Sequence, residues 1–144
     1  VPLRAELVRK KLLEIDQTTG RLRSWMPISL EQLEQDIRLQ WAVECGLQIA
    51  AESLFDTGNH ILAGEFQESV DEYGQIPKRL LARGVLKPET ASRLESLAGF
   101  RNILDHDYAE VDLRRVHAGL ERLDDFDVFV ADVEEWLQSK GGAR

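Results

Sequence analysis

Cysteine is nearly absent from this chain. Cys45 stands alone among 144 residues, which excludes an intramolecular disulfide and a cysteine-built zinc cage. A solitary thiol suits a compartment kept reducing, so a cytoplasmic protein is expected. Long hydrophobic runs are missing as well. The apolar stretches fall far short of the ~20 residues that a membrane-spanning helix needs. The opening Val1-Pro2-Leu3-Arg4 lacks a signal-peptide pattern, and no membrane association is expected. Strand-like alternation of apolar and polar residues does not occur, which removes the basis for a sheet. Positive charge is in deficit, with 18 Lys and Arg against 26 Asp and Glu and a net charge of −8. That balance argues against a generic nucleic-acid binder. Metal-ligand spacings are lacking too: His60 and His117 stand apart from other ligands, and no metal or cofactor is expected.

What remains is helical periodicity nearly throughout. A first helix is expected from Leu3 to Trp25, carrying Leu7, Val8, Leu12, Ile15, Leu22 and Trp25, and stopping near Pro27. Ser29-Leu30-Glu31-Gln32 fits a capping box. The helix it opens should be long, with Leu33, Ile37, Trp41, Leu47, Ala51, Leu54 and Phe55 on its buried side and a break at Gly58. Shorter helices follow, one over Pro77–Arg83 ended by Gly84. Pro88 then sits at the first turn of a fourth helix, buried through Leu94, Leu97, Ala98, Phe100 and Leu104. Asp112 is placed to cap a last long helix that runs through Val116, Phe126 and Phe129 to Leu137. The fold class is all-α: an up-and-down helical bundle of four to five main helices with one irregular crossover. Residues 1–144 read as a single domain, with 139–144 a frayed tail.

Charge is unevenly distributed. Residues 105–135 hold eleven acids and three bases, so the rest of the chain is balanced. Between 78 and 93, Lys78, Arg79, Arg83, Lys87 and Arg93 face only Glu89 as an acid. This basic stretch is either a solvated helix face or a local contact surface for RNA.

The chemistry concentrates in Arg101-Asn102-Ile103-Leu104-Asp105-His106-Asp107-Tyr108. Imidazole titrates near neutrality and can take a proton from a ribose 2′-hydroxyl or give one to a departing oxygen. Guanidinium stays charged and matches phosphate oxygens with its fork. Five helical steps rotate by roughly 140° net, so Arg101 and His106 do not share a helix face. Either the helix unwinds between them or a second subunit completes the site. Asn102 and His106, four apart, do share a face, and the amide there can hold the imidazole in one tautomer. Plainer readings stand beside these. Arg101 can pair with Asp105 at i,i+4, His106 can meet a helix C-terminal dipole, and Tyr108 can be a core tyrosine with a wet hydroxyl.

The segment resembles the Arg-Asn-x3-His-x-Tyr signature of HepT-like toxins, members of the HEPN (higher eukaryotes and prokaryotes nucleotide-binding) superfamily. Gly99-Phe100 before it, Val111-Asp112 after it, and Trp41-Ala42-Val43-Glu44 through Asp56 upstream extend the likeness. The resemblance implies a homodimeric helical bundle with two motifs in one cleft, acting as a metal-independent endoribonuclease and the toxin of a type II toxin–antitoxin pair. By that resemblance Arg101 steadies the scissile phosphate, His106 is general acid or base, and Asn102 supports them. Tyr108 matches the tyrosine that a partner antitoxin, an MntA-like minimal nucleotidyltransferase, modifies with AMP. Asp105 departs from the small or apolar residue more usual before the histidine. With Asp107 it sets two carboxylates beside His106, which raise an imidazole pKa and repel an RNA backbone. A non-catalytic module that binds a nucleotide or the nucleotidyltransferase in the same cleft is the alternative.

Overall fold

The computed structural model describes residues 3–106 and 112–142, and for 100–106 and 141–142 the backbone alone. Among the described residues there are seven α-helices and no strand. Four are long: α1 (Ala5–Ser24), α3 (Ile37–Phe66), α5 (Pro88–His106) and α7 (Asp124–Gly142). Three are short: α2 (Leu30–Gln35), α4 (Gln75–Ala82) and α6 (Leu113–Leu120). The expected all-α bundle is therefore what forms, with four main helices and three short connecting ones.

The first helix follows its pattern. Val8, Leu12, Ile15, Thr19 and Leu22 recur at steps of four and three and form the buried seam of α1. That seam lies on α3, where a Cβ at Gly46 would stand 2.7 Å from Leu22 Cδ2. Glycine there lets the two helices approach.

Ser29 caps as its spacing predicts. Its hydroxyl accepts from the Gln32 amide at 3.1 Å, while Gln32 Oε1 accepts from the Ser29 amide at 2.7 Å. The helix opened is nevertheless the short α2, not the long one. Asp36 adopts extended geometry, and its carboxylate accepts from the amides of Arg38 and Leu39 at 3.0 and 3.2 Å. A second N-cap thus restarts the chain as α3. The restart turns Ile37 and Trp41 outward, contrary to expectation: they are 54% and 67% exposed. Val43, Leu47, Ala50, Leu54, Phe55, Ile61 and Leu62 form the buried side of α3 instead.

Gly58 does not end this helix. α3 runs on to Phe66 and stops at Gln67, which adopts φ 53°. Gly58 is a packing glycine, since a Cβ would lie 2.6 Å from Ile76 Cγ2 and 3.1 Å from Leu80 Cδ1 of α4. The last helix is likewise two helices. Asp112 caps α6 by accepting from the Arg114 amide at 3.0 Å. The chain then turns after Leu120, and α7 begins with three acids, Asp124, Asp125 and Asp127, in its first turn. Gly119 weakens the end of α6, and those carboxylates favour a fresh helix N-terminus. Phe126, Phe129, Val133 and Leu137 carry α7 into the common core. Among the described residues no helix is long and apolar enough to cross a membrane.

Candidate functional site

The helix bearing the motif is α5, and buried acids on α7 fix its course. Val85 and Leu86 bury the approach to it, and Pro88 occupies its first position, where a missing N–H costs nothing. Asp132, buried on α7, accepts from the Lys87 amide at 2.9 Å, and Lys87 Nζ lies 3.0 Å from Glu135. Further along, buried Asp125 meets Arg122 at 2.8 Å and Arg93 at 3.5 Å. Burial pushes the Asp125 carboxyl above its usual range, and the two guanidinium groups pull against that rise. Ser96 Oγ accepts from Arg122 Nη1 at 2.6 Å and donates to the Arg93 carbonyl at 3.1 Å. These clamps lie ahead of Arg101 along α5.

α5 remains helical through His106. The helix therefore does not unwind between Arg101 and His106. They lie on different faces of one helix, whereas 102 and 106 share a face. The side chains of Arg101, Asn102, Asp105 and His106, and the whole of Tyr108, lie outside the described residues.

Four of the five basic residues singled out from sequence are engaged by carboxylates. Arg79 and Arg83 both reach Glu68, at 3.2 and 3.0 Å, and hold that carboxyl below its usual range. The Arg83 guanidinium also lies 5.2 Å from the Phe66 ring centroid. Lys87 and Arg93 belong to the α5–α7 clamps described above. Lys78, exposed on α4, has no carboxylate partner among the described residues.

Sequence reasoning overlooked a cavity of about 310 Å³ beside the motif helix. Leu47, Leu97 and Phe126 give it apolar walls, and Gly99, Arg115 and Arg122 also line it. Arg115 and Arg122 are two of the three bases in the acid-rich segment. A signal was present in the adjacent Arg114 and Arg115, but a charge count over the window concealed it.

The outer face of α3 carries a second feature. Ile37, Trp41, Cys45 and Ile49 follow one another at steps of four and are all exposed, so they form one apolar stripe along the helix. Trp41 at 67% exposure is unusual for so large an apolar group.

A core of four long helices, with Arg101–His106 at the end of α5, defines an all-α helical bundle. The family model described as ribonuclease HepT-like matches residues 15–133, a span that includes the whole segment, and the chain belongs to this family. It is 35% identical over 101 residues to an mRNA nuclease HepT of Shewanella oneidensis, covering 69% of this chain and 75% of that protein. It is 23% identical over 136 residues to a tRNA nuclease HepT of Aphanizomenon flos-aquae, covering 91% of this chain and 90% of that protein. Among solved structures, a tri-AMPylated Shewanella oneidensis HEPN toxin in complex with an MNT antitoxin matches with a TM-score of 0.79 at 25% identity. That match covers 92% of this chain and 99% of the toxin chain.

Proposed function

We propose that this chain is a metal-independent endoribonuclease, the toxin of a type II toxin–antitoxin pair, working as a homodimer and silenced by AMP transfer to Tyr108. The observation that carries the reading is the family match, whose span of residues 15–133 includes Arg101–Tyr108. In this reading one His106 takes the proton from a ribose 2′-hydroxyl. The 2′-oxygen attacks phosphorus, the 5′-oxygen leaves, and the imidazolium so formed returns the proton to it. Arg101 balances the charge that gathers on the phosphoryl oxygens, and Asn102 holds the imidazole. The products are a 2′,3′-cyclic phosphate and a 5′-hydroxyl.

Two features support a site made by two subunits. α5 is continuous through both positions, so one copy presents Arg101 and His106 on different faces. The exposed stripe Ile37, Trp41, Cys45 and Ile49 supplies an apolar surface on α3, which packs against α5. Its occupant is a second copy of this chain. The partner in regulation is an MntA-like nucleotidyltransferase. The Tyr108 oxygen attacks the α-phosphorus of ATP, pyrophosphate departs, and the phenolic proton passes to the transferase. The attached phosphate then competes with RNA for Arg101.

Cleavage of RNA by the purified dimer tests this. Arg101→Ala and His106→Ala should each abolish cutting, and dimers re-formed from a mixture of the two should regain part of it, because one of their two composite sites is whole. RNA left intact by the unmodified protein at every pH from about 6 to 8 overturns the nuclease. Intact mass after co-expression with the transferase should rise by one or more AMP units in the parent chain and not in Tyr108→Phe.

A further inference from the structure

We propose that the cavity between α5, α6 and α7 receives one base of single-stranded RNA, a short way along the strand from the scissile phosphate, so that the enzyme reads sequence there. The proposal rests on the nuclease reading and gives it a specificity site.

Size comes first. About 310 Å³ lies at the lower end of small-ligand sites and suits a single planar ring system. Half-buried Leu97 is its accessible apolar wall, buried Leu47 and Phe126 also line it, and two guanidinium groups border it. Unstacked RNA bases are recognised by stacking on aromatic rings or Arg planes, with cations taking the adjoining phosphate.

The two arginines differ in what they have free. Arg122 is fixed by Ser96 Oγ at 2.6 Å, the Arg93 carbonyl at 3.1 Å and Asp125 at 2.8 Å, which makes its plane a rigid wall. Arg115 has no carboxylate partner among the described residues and is exposed, so its charge is available to a phosphate. Buried Asp125 also lines the cavity. Its carboxyl disfavours a phosphate inside, which directs the base inward and the backbone toward Arg115.

Gly99 is the second line of argument. It sits within α5, where glycine is a poor helix former, yet a Cβ there would meet nothing within 4 Å. Packing does not demand glycine at this position. A side chain there would start in open space beside the cavity that Gly99 lines. Positions 99, 102 and 106 fall on one face of α5, and seven residues of helix span about 10 Å. Gly99, at the cavity's edge, therefore shares its helix face with positions 102 and 106, at a distance that a short run of nucleotides covers.

The test uses the full-length dimer and a fluorescein-labelled 2′-O-methyl oligoribonucleotide, which binds without being cut, with an abasic residue placed at each position in turn. The parent protein should lose about ten-fold in affinity at one abasic position and little at the others. In Gly99→Leu, with helicity checked by circular dichroism, that positional loss should vanish because the site is already filled. Arg115→Ala, a change at the surface, should weaken binding of the intact oligomer and lower its salt dependence. Uniform loss at all abasic positions, no binding of the oligomer, or a parent-like profile in Gly99→Leu overturns the proposal. So does equal competition by AMP alone, which would make the cavity a mononucleotide site. A positional effect without cleavage of ordinary RNA would keep the subsite and sink the nuclease, whereas cleavage without a positional effect would do the reverse.

Discussion

At Gly58 a methyl group would sit 2.6 Å from Ile76 Cγ2, in a seam where α4 lies directly on α3. Gly58→Ala is therefore expected to destabilise the fold by about 1–3 kcal/mol, read as a lower urea midpoint with unchanged slope. His60 gives a second residue-scale expectation. Its Nε2 is buried and has no hydrogen-bond partner among the described residues. Desolvation, with Lys11 adding to it, lowers its pKa from 6.5. Below 6.5 the unfolded chain takes up the proton before the folded one, so the stability tied to neutral His60 is complete above 6.5 and is lost as pH falls from there through the lower folded-state pKa. The thermal midpoint should drop on acidification through that window, and His60→Gln should flatten the drop. At this scale the sequence was readable where a residue acts through its own backbone, as Ser29 does. It was unreadable where the effect needs a neighbour from another helix. Nothing in the residues around Gly58 names Ile76, and nothing around Arg115 names the cavity it borders.

Among the elements, the restart at Asp36 has the widest effect. Its carboxylate holds the amides of Arg38 and Leu39, and removing it with Asp36→Ala should cost about 1 kcal/mol. The same change should speed hydrogen exchange at the first turn of α3 while leaving α1 and α7 unaffected. Periodicity could not reveal this break. A helix that stops for one residue and starts again keeps much the same spacing of apolar residues, so Leu33, Ile37 and Trp41 read as one stripe when they belong to two helices. The division between α6 and α7 escaped notice for the same reason, since Val116, Leu120, Leu123 and Phe126 are all buried across the turn. The course of α5 was better signposted, by Gly84, Pro88 and the spacing of Leu94 and Ala98. Its clamps were not, because Asp125 and Asp132 look like surface acids until α7 buries them.

For the molecule as a whole, the net charge of −8 and the apolar stripe on α3 pull in opposite directions. Like charge keeps copies apart at long range, and salt screens it with a Debye length of about 8 Å at physiological ionic strength. Apolar burial acts only at contact. Self-association should therefore strengthen as salt is raised, and Trp41→Glu should convert the proposed dimer to a monomer by light scattering and abolish any dependence of the thermal midpoint on protein concentration. A dimer that persists in Trp41→Glu would place the contact elsewhere.

Trp41 also makes the protein its own reporter. An indole standing in water emits at long wavelength, and its emission shifts to the blue when another surface covers it. Trp136 already packs on Phe66, so the spectral change on association should come mainly from position 41, with Trp25 (41% exposed) removed as background by Trp25→Phe. Assembly of the chain, and its reversal on dilution, should then be visible in unlabelled protein as a change of colour.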